Sequence, residues 1–134
     1  MAIQKWLRVK VLKDPNSVLD IEQQLECTIS DELRQCIRDH NGGRPTPNVI
    51  RLVCGEENDV DALLSFNEED MNSVYRIKAF FAEKYLGILF PFASDSAGNY
   101  YCENKGKIVL WTQDDEVFDV CNSFGEFLEA LYAL

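Results

Sequence analysis

The most distinctive hydrophobic pattern in the chain lies between Leu86 and Cys102, which reads LGILFPFASDSAGNYYC. An apolar run to Ala93 gives way to a small polar stretch from Ser94 to Asn99, and a second β-favouring run follows. This is the pattern of a β-hairpin, with Asp95, Gly98 and Asn99 supplying the turn backbone. The first arm is apolar on both faces, which predicts a buried strand over Leu86–Phe90 covered from each side. Pro91 cannot donate to a ladder, so it predicts a kink or bulge at that point.

The rest of the chain divides by period. In residues 3–12, Leu7, Val9 and Val11 alternate with Arg8 and Lys10, which predicts a half-buried strand, with a short helix as the alternative. Asp14-Pro15 reads as a helix start, and Val18, Ile21 and Leu25 then recur at helical spacing. Ser30 is a good cap for a second helix, supported by Asp31 and Glu32 in its first turn, with Leu33, Cys36 and Ile37 inward. Asn41-Gly42-Gly43 stops that helix. Residues 48–54 are rich in β-branched residues and predict a strand, followed by an acidic loop and a short strand over 61–66. Val74, Ile77 and Phe81 predict a helix over 71–83, with Glu68, Glu69 and Asp70 at its N-terminus, where the dipole favours negative charge. Turns at 104–106 and 114–115 separate strands over 108–111 and 117–121. Ser123 and Glu126 have capping-box spacing for a last helix, which turns Phe124, Phe127, Leu128 and Leu131 inward. Clustered strands with helices packed on them make this an α+β fold: one domain over residues 1–134, with a mostly antiparallel or mixed sheet of about six strands. Residues 3–12 either belong to that domain or extend it.

Charge changes the picture. The net charge is −10, and Lys5, Arg8, Lys10 and Lys13 stand in the first 13 residues without an acid, so the rest carries −14. Seven acids and no base fall within residues 56–70, and Asp114, Asp115, Glu116 and Asp119 form a second concentration. Such a surface repels phosphate backbones, which argues against nucleic acid as a partner; it suits a basic protein, or else serves only to keep the chain in solution. The candidate partner-binding residues are Glu56, Glu57, Asp59, Asp61, Asp114, Asp115 and Glu116. The five cysteines are an odd number without a CxxC pair, and lysine and arginine interrupt the place of a secretory signal. This predicts free thiols in a reducing, cytoplasmic setting. No segment approaches the ~20 apolar residues that a membrane span needs.

Candidate chemistry is sparse. His40 is the only histidine, which excludes HExxH and two-histidine metal sites. Cys36 and His40 stand four apart on one helical face, the spacing of a Cys–His nucleophile pair, but Cys36 sits in the apolar stripe, where cysteine acts as a small hydrophobe. Asp95, Asn99 and Glu103 lack EF-hand spacing, and turn requirements explain them. Asp114-Asp115 has no companion nucleophile. No GxSxG, Walker or GxGxxG pattern occurs. The residues call for no catalytic site, cofactor or metal.

Four stretches taken together resemble one family. They are the helix ending His40–Gly43 (HNGG), Phe90–Cys102 (FPFASDSAGNYYC), the strand reaching Trp111, and Ser123–Leu131 (SFGEFLEAL). In order and spacing they are similar to the SUKH superfamily, the Smi/Knr-type domain, over Val18 to Leu134. Where members often carry Leu-Pro before the second helix, this chain has Ile29-Ser30. The resemblance implies a non-enzymatic α+β interaction domain. It further implies an immunity protein that neutralises a cognate polymorphic toxin of nuclease or deaminase type, or else a regulatory scaffold with a cellular partner.

Overall fold

The computed structural model describes Ile3 and residues 5–134. In chain order the first half comprises β1 (Lys5–Leu7), α1 (Ser17–Leu25), α2 (Asp31–His40), β2 (Arg44–Thr46), β3 (Val49–Arg51), β4 (Glu57–Asp59) and β5 (Ala62–Leu63). A 3-10 turn at Val74–Arg76 leads into α3 (Lys78–Lys84). There follow β6 (Phe90–Ser94), β7 (Tyr100–Asn104), β8 (Lys107–Trp111), β9 (Val117–Cys121) and α4 (Phe124–Glu129).

Strands β5 to β9 form one antiparallel sheet in sequence order, and β1–β2 and β3–β4 form two antiparallel ribbons beside it. The domain is α+β, with helices on both sheet faces. Tyr100 and Tyr101 are neighbours on β7 and so point to opposite faces. Tyr100 stacks on Trp111 and meets Phe81 of α3 edge-on, while Tyr101 packs on Phe127 of α4. Phe92 meets both Phe124 and Phe127 at 5.4 Å, edge to face. Strand β6 is therefore buried along its whole length. Its pairing with β7 shifts register between Pro91 and Ala93, so the bulge that the proline predicts is present.

Side-chain caps open α2 and α4. Ser30 Oγ accepts the Leu33 N–H at 3.3 Å, and Gly42, at φ 68°, reverses the chain after α2. Gly43 is required by close approach, because a β-carbon there would lie 2.8 Å from the His40 carbonyl oxygen. Ser123 Oγ accepts the Glu126 N–H, while the Glu126 carboxylate accepts from Asn122 rather than Ser123, shifting the expected reciprocal cap by one residue. Helix α1 begins later than Asp14-Pro15 suggests. Asp14 accepts from the Asn16 N–H, its carbonyl accepts from Ser17, and the helix opens after Asn16.

Four expectations need correction. Among the described residues of 3–12, which leave out residue 4, only Lys5–Leu7 is a strand. Arg8 has a left-handed φ of 54°, and Val9 and Val11 are exposed rather than sharing a buried face. The apolar run at Leu86 is not yet strand. Tyr85 ends α3, Gly87 adopts φ 74° with its N–H donated to the Leu25 carbonyl, Leu86 and Ile88 are exposed, and β6 starts at Phe90. Residues 71–83 are not one helix. Ser65 donates to the Asn72 carbonyl and accepts the Val74 N–H, which holds residues 72–74 extended, and the α-helix begins only at Lys78. The acids at 68–70 therefore lie far from that helix's first turn. Glu69 pairs with Lys13, and Asp70 accepts from Ser65 Oγ at 2.6 Å and from Asn67. Finally, the acidic loop after residue 54 is partly the strand β4.

Among the described residues no helix is long and apolar enough to cross a membrane.

Candidate partner-binding surface

The β3–β4 ribbon lies over one end of the sheet, and three fastenings fix it there. Tyr101 donates its hydroxyl to the Asp59 carbonyl at 2.9 Å and accepts from Asn58 Nδ2 at 2.8 Å, and burial raises the Tyr101 pKa. Asn58 also donates to the buried Asp95 carboxylate. Near the C-terminus, Tyr132 exchanges backbone hydrogen bonds with Val49 and donates its hydroxyl to Glu57.

The ribbon's loop and the β8–β9 loop share one geometry. Leu52 N–H donates to the Glu56 carbonyl and Gly55 N–H to Leu52. In the same way Thr112 donates to Glu116 and Asp115 to Thr112. Each is a three-residue hairpin loop whose last residue is left-handed, Gly55 at φ 95° and Asp115 at φ 59°. Between ribbon and sheet opens a groove of about 770 Å³. Its floor is apolar, from Leu52, Leu110 and Phe118, and its rim carries Glu56, Glu57 and Asp119.

The structure divides the seven acids expected to meet a partner. Glu56 and Glu57 line the groove, and Glu57 is in addition paired with Arg51 at 3.6 Å and bonded by the Tyr132 hydroxyl. Asp114 and Glu116 are exposed on the β8–β9 loop, which runs directly into the groove residues Thr112 and Val117. The remaining three are engaged within the fold. Asp59 accepts from the Ser96 N–H and hydroxyl, bracing the β6–β7 turn. Asp61 pairs with Arg44 at 3.6 Å. Asp115 accepts from the Tyr85 hydroxyl at 2.6 Å, the Trp111 indole at 2.8 Å and Lys84 at 3.0 Å. Those donors, Tyr85 foremost, hold its pKa down to about 2. Sequence reasoning did not single out Val117, Phe118 and Asp119 as site residues. The signal present was two adjacent apolar residues in a strand next to an acidic loop, and here both are exposed, Val117 by 42% and Phe118 by 46%.

The other candidates find structural employment. Cys36 is buried, and desolvation pushes its thiol up to about 12, which leaves no thiolate near neutral pH. The His40 ring stacks on Trp6 at 4.8 Å. Asp95 accepts from the Ala97 and Asn99 N–H groups and from the Asn99 side chain, forming the hairpin turn. Glu103 lies apart from that turn, buried on β7 and bonded to Ser30. Among the described residues no three His, Cys, Asp or Glu side chains are grouped to hold a metal ion.

The family model of the SMI1/KNR4 family (SUKH-1) matches residues 14–130. No curated protein matches the chain.

Proposed function

We propose that this chain, which belongs to the SMI1/KNR4 family (SUKH-1), is a cytoplasmic immunity protein that binds a basic toxin domain and blocks it by occlusion. The family is in general a non-catalytic protein-interaction domain. The observation that carries the reading is the groove, an apolar floor framed by acids of which only Glu57 is engaged by the fold, through Arg51 and Tyr132. Among the described residues Glu56, Asp114 and Glu116 have no side-chain hydrogen bond or ion pair. A domain that cuts or deaminates nucleic acid must present a basic face to its polyanionic substrate. An acidic protein with a net charge of −10 competes for that same face. Rim carboxylates then speed encounter, while the apolar floor slows escape.

The test is the toxin domain encoded beside this chain, assayed for activity with and without excess protein, and repeated with Glu56→Lys and Glu57→Lys together. We expect full inhibition by the wild type, with association about tenfold slower and less salt-dependent for the double variant. Toxin activity undiminished by excess protein would sink the immunity reading and favour a regulatory scaffold. Unchanged association by the variant would remove this surface from the interaction.

A further inference from the structure

Strand β9 ends the sheet, and its Val117, Phe118 and Asp119 line the groove. The hydrogen-bond phase of its outer edge follows from the loop. Because Thr112 and Glu116 are bonded across the hairpin, Leu110 and Phe118 form the next bonded pair, and Trp111/Val117 and Val109/Asp119 are the intervening non-bonded pairs. The N–H and C=O groups of Val117 and Asp119 therefore point away from β8, and among the described residues no second strand takes them up. The opposite edge differs. Strand β5 has two residues, and Leu63 donates its N–H to the Gly43 carbonyl.

The exposed part of this edge is Val117 to Asp119, ending at a bulge at Val120; an open edge of this kind invites strand addition, and proteins usually guard such edges with charge. Here the charged residues that line the groove are all acids, Asp119 on the strand side and Glu56 and Glu57 across from it, with Glu116 exposed next to Val117. A second copy of the chain would bring those acids against each other. A basic segment would not. We propose that β9 is a docking edge for an extended segment of the basic partner, which adds to the sheet as a sixth strand. Its backbone pairs with Val117 and Asp119. Its side chains alternate, apolar ones lying with Phe118 over the groove floor and basic ones toward Asp119 at the edge where that residue borders the groove. This inference rests on the acidic-surface reading above and names the part of the partner that surface receives.

The experiment is amide hydrogen exchange on the full chain, using a synthetic peptide of about nine residues that alternates valine and lysine, with a valine–glutamate peptide as control. The lysine peptide should slow exchange at Val117 and Asp119 by about tenfold or more, and the glutamate peptide should not. Val117→Pro removes only an outward-facing donor at a position where an edge tolerates proline, and should weaken the lysine peptide by about fivefold. Asp119→Lys should erase the preference between peptides. Binding with protection elsewhere, or no binding, overturns the edge assignment while the acidic surface stands. Equal binding of both peptides overturns the acidic-surface reading as well. Protection of these amides by self-association, without peptide, would assign the edge to a second copy and overturn the proposal.

Discussion

Glu103 offers a direct test of how the sheet and the second helix are joined. It lies on β7 with 2% of its surface exposed. Its two carboxylate oxygens accept the Ser30 N–H at 2.7 Å and the Ser30 hydroxyl at 2.8 Å. Because that hydroxyl also accepts from Leu33, one chain of bonds runs from the sheet centre into the first turn of α2. Glu103→Ala removes two hydrogen bonds to a charged acceptor, each contributing about 1.5–3 kcal/mol, and relief of the carboxylate's desolvation offsets part of the loss. The net expectation is a destabilisation of about 3 kcal/mol. Glu103→Gln retains a carbonyl for the Ser30 N–H and can donate its amide to the hydroxyl, so it should lose about 1 kcal/mol. With a urea m-value of about 2 kcal/mol/M, the unfolding midpoints should fall by about 1.5 M and 0.5 M, read from tryptophan fluorescence. Combined with Ser30→Ala, the alanine change should be less than additive by about 1 kcal/mol. A midpoint shift below about 0.5 M for Glu103→Ala, or equal shifts for both variants, would refute this account of the joint.

Two further outcomes follow from the site's supports. Asp115 has a folded pKa near 2 against an ordinary 3.8, so its contribution is present above pH 4 and is lost as pH falls between those values. Asp115→Asn should therefore be less stable than wild type at pH 7, with the gap closing as pH drops from about 4 to about 2 in thermal melts; a gap unchanged at the acid end would contradict the assignment. Tyr101→Phe leaves the Asp59 carbonyl without its donor and should cost about 1–2 kcal/mol in urea unfolding. Because the same hydroxyl fastens the ribbon that walls the groove, the variant should also bind the valine–lysine peptide more weakly, and undiminished affinity would show that the ribbon is held by other means.

Much of the fold was legible because local chemistry and tertiary need agree in it. The Ser30 and Ser123 caps, the glycine stop after His40 and the hairpin turn at Asp95 are each set by side chains within a few residues. What sequence misassigned was decided at longer range. Residues 72–74 carry a helical pattern, yet their backbone groups bond to Ser65, and tertiary pairing overrides periodicity there. Leu86–Leu89 reads as strand because apolarity alone does not distinguish a helix exit from a buried arm, and the left-handed Gly87 is what separates them. Asn41 shows the same limit at one residue. In sequence it is only part of a helix stop. In the structure its amide donates to the Lys10 carbonyl and Ser65 Oγ, and its oxygen accepts the Phe66 N–H, tying three segments together.

The candidate site was legible only as charge, since composition records how many acids there are and not which are already engaged. Asp115 makes the distinction concrete. It occupies the left-handed corner where the matching loop carries Gly55, a backbone state unfavourable for most side chains by about 1–2 kcal/mol. Three donors from α3 and β8 converge on its carboxylate and hold it there. An acid so committed has little field left to offer a partner, but it fixes the loop on which Asp114 and Glu116 stand. The ribbon is fixed in the same way through Tyr101, Asn58 and Tyr132. Both walls of the groove are thus set before anything binds, so an incoming segment meets a surface whose ordering entropy has already been spent in folding. That is the condition under which an edge strand with only two outward-facing residues can contribute usefully to recognition.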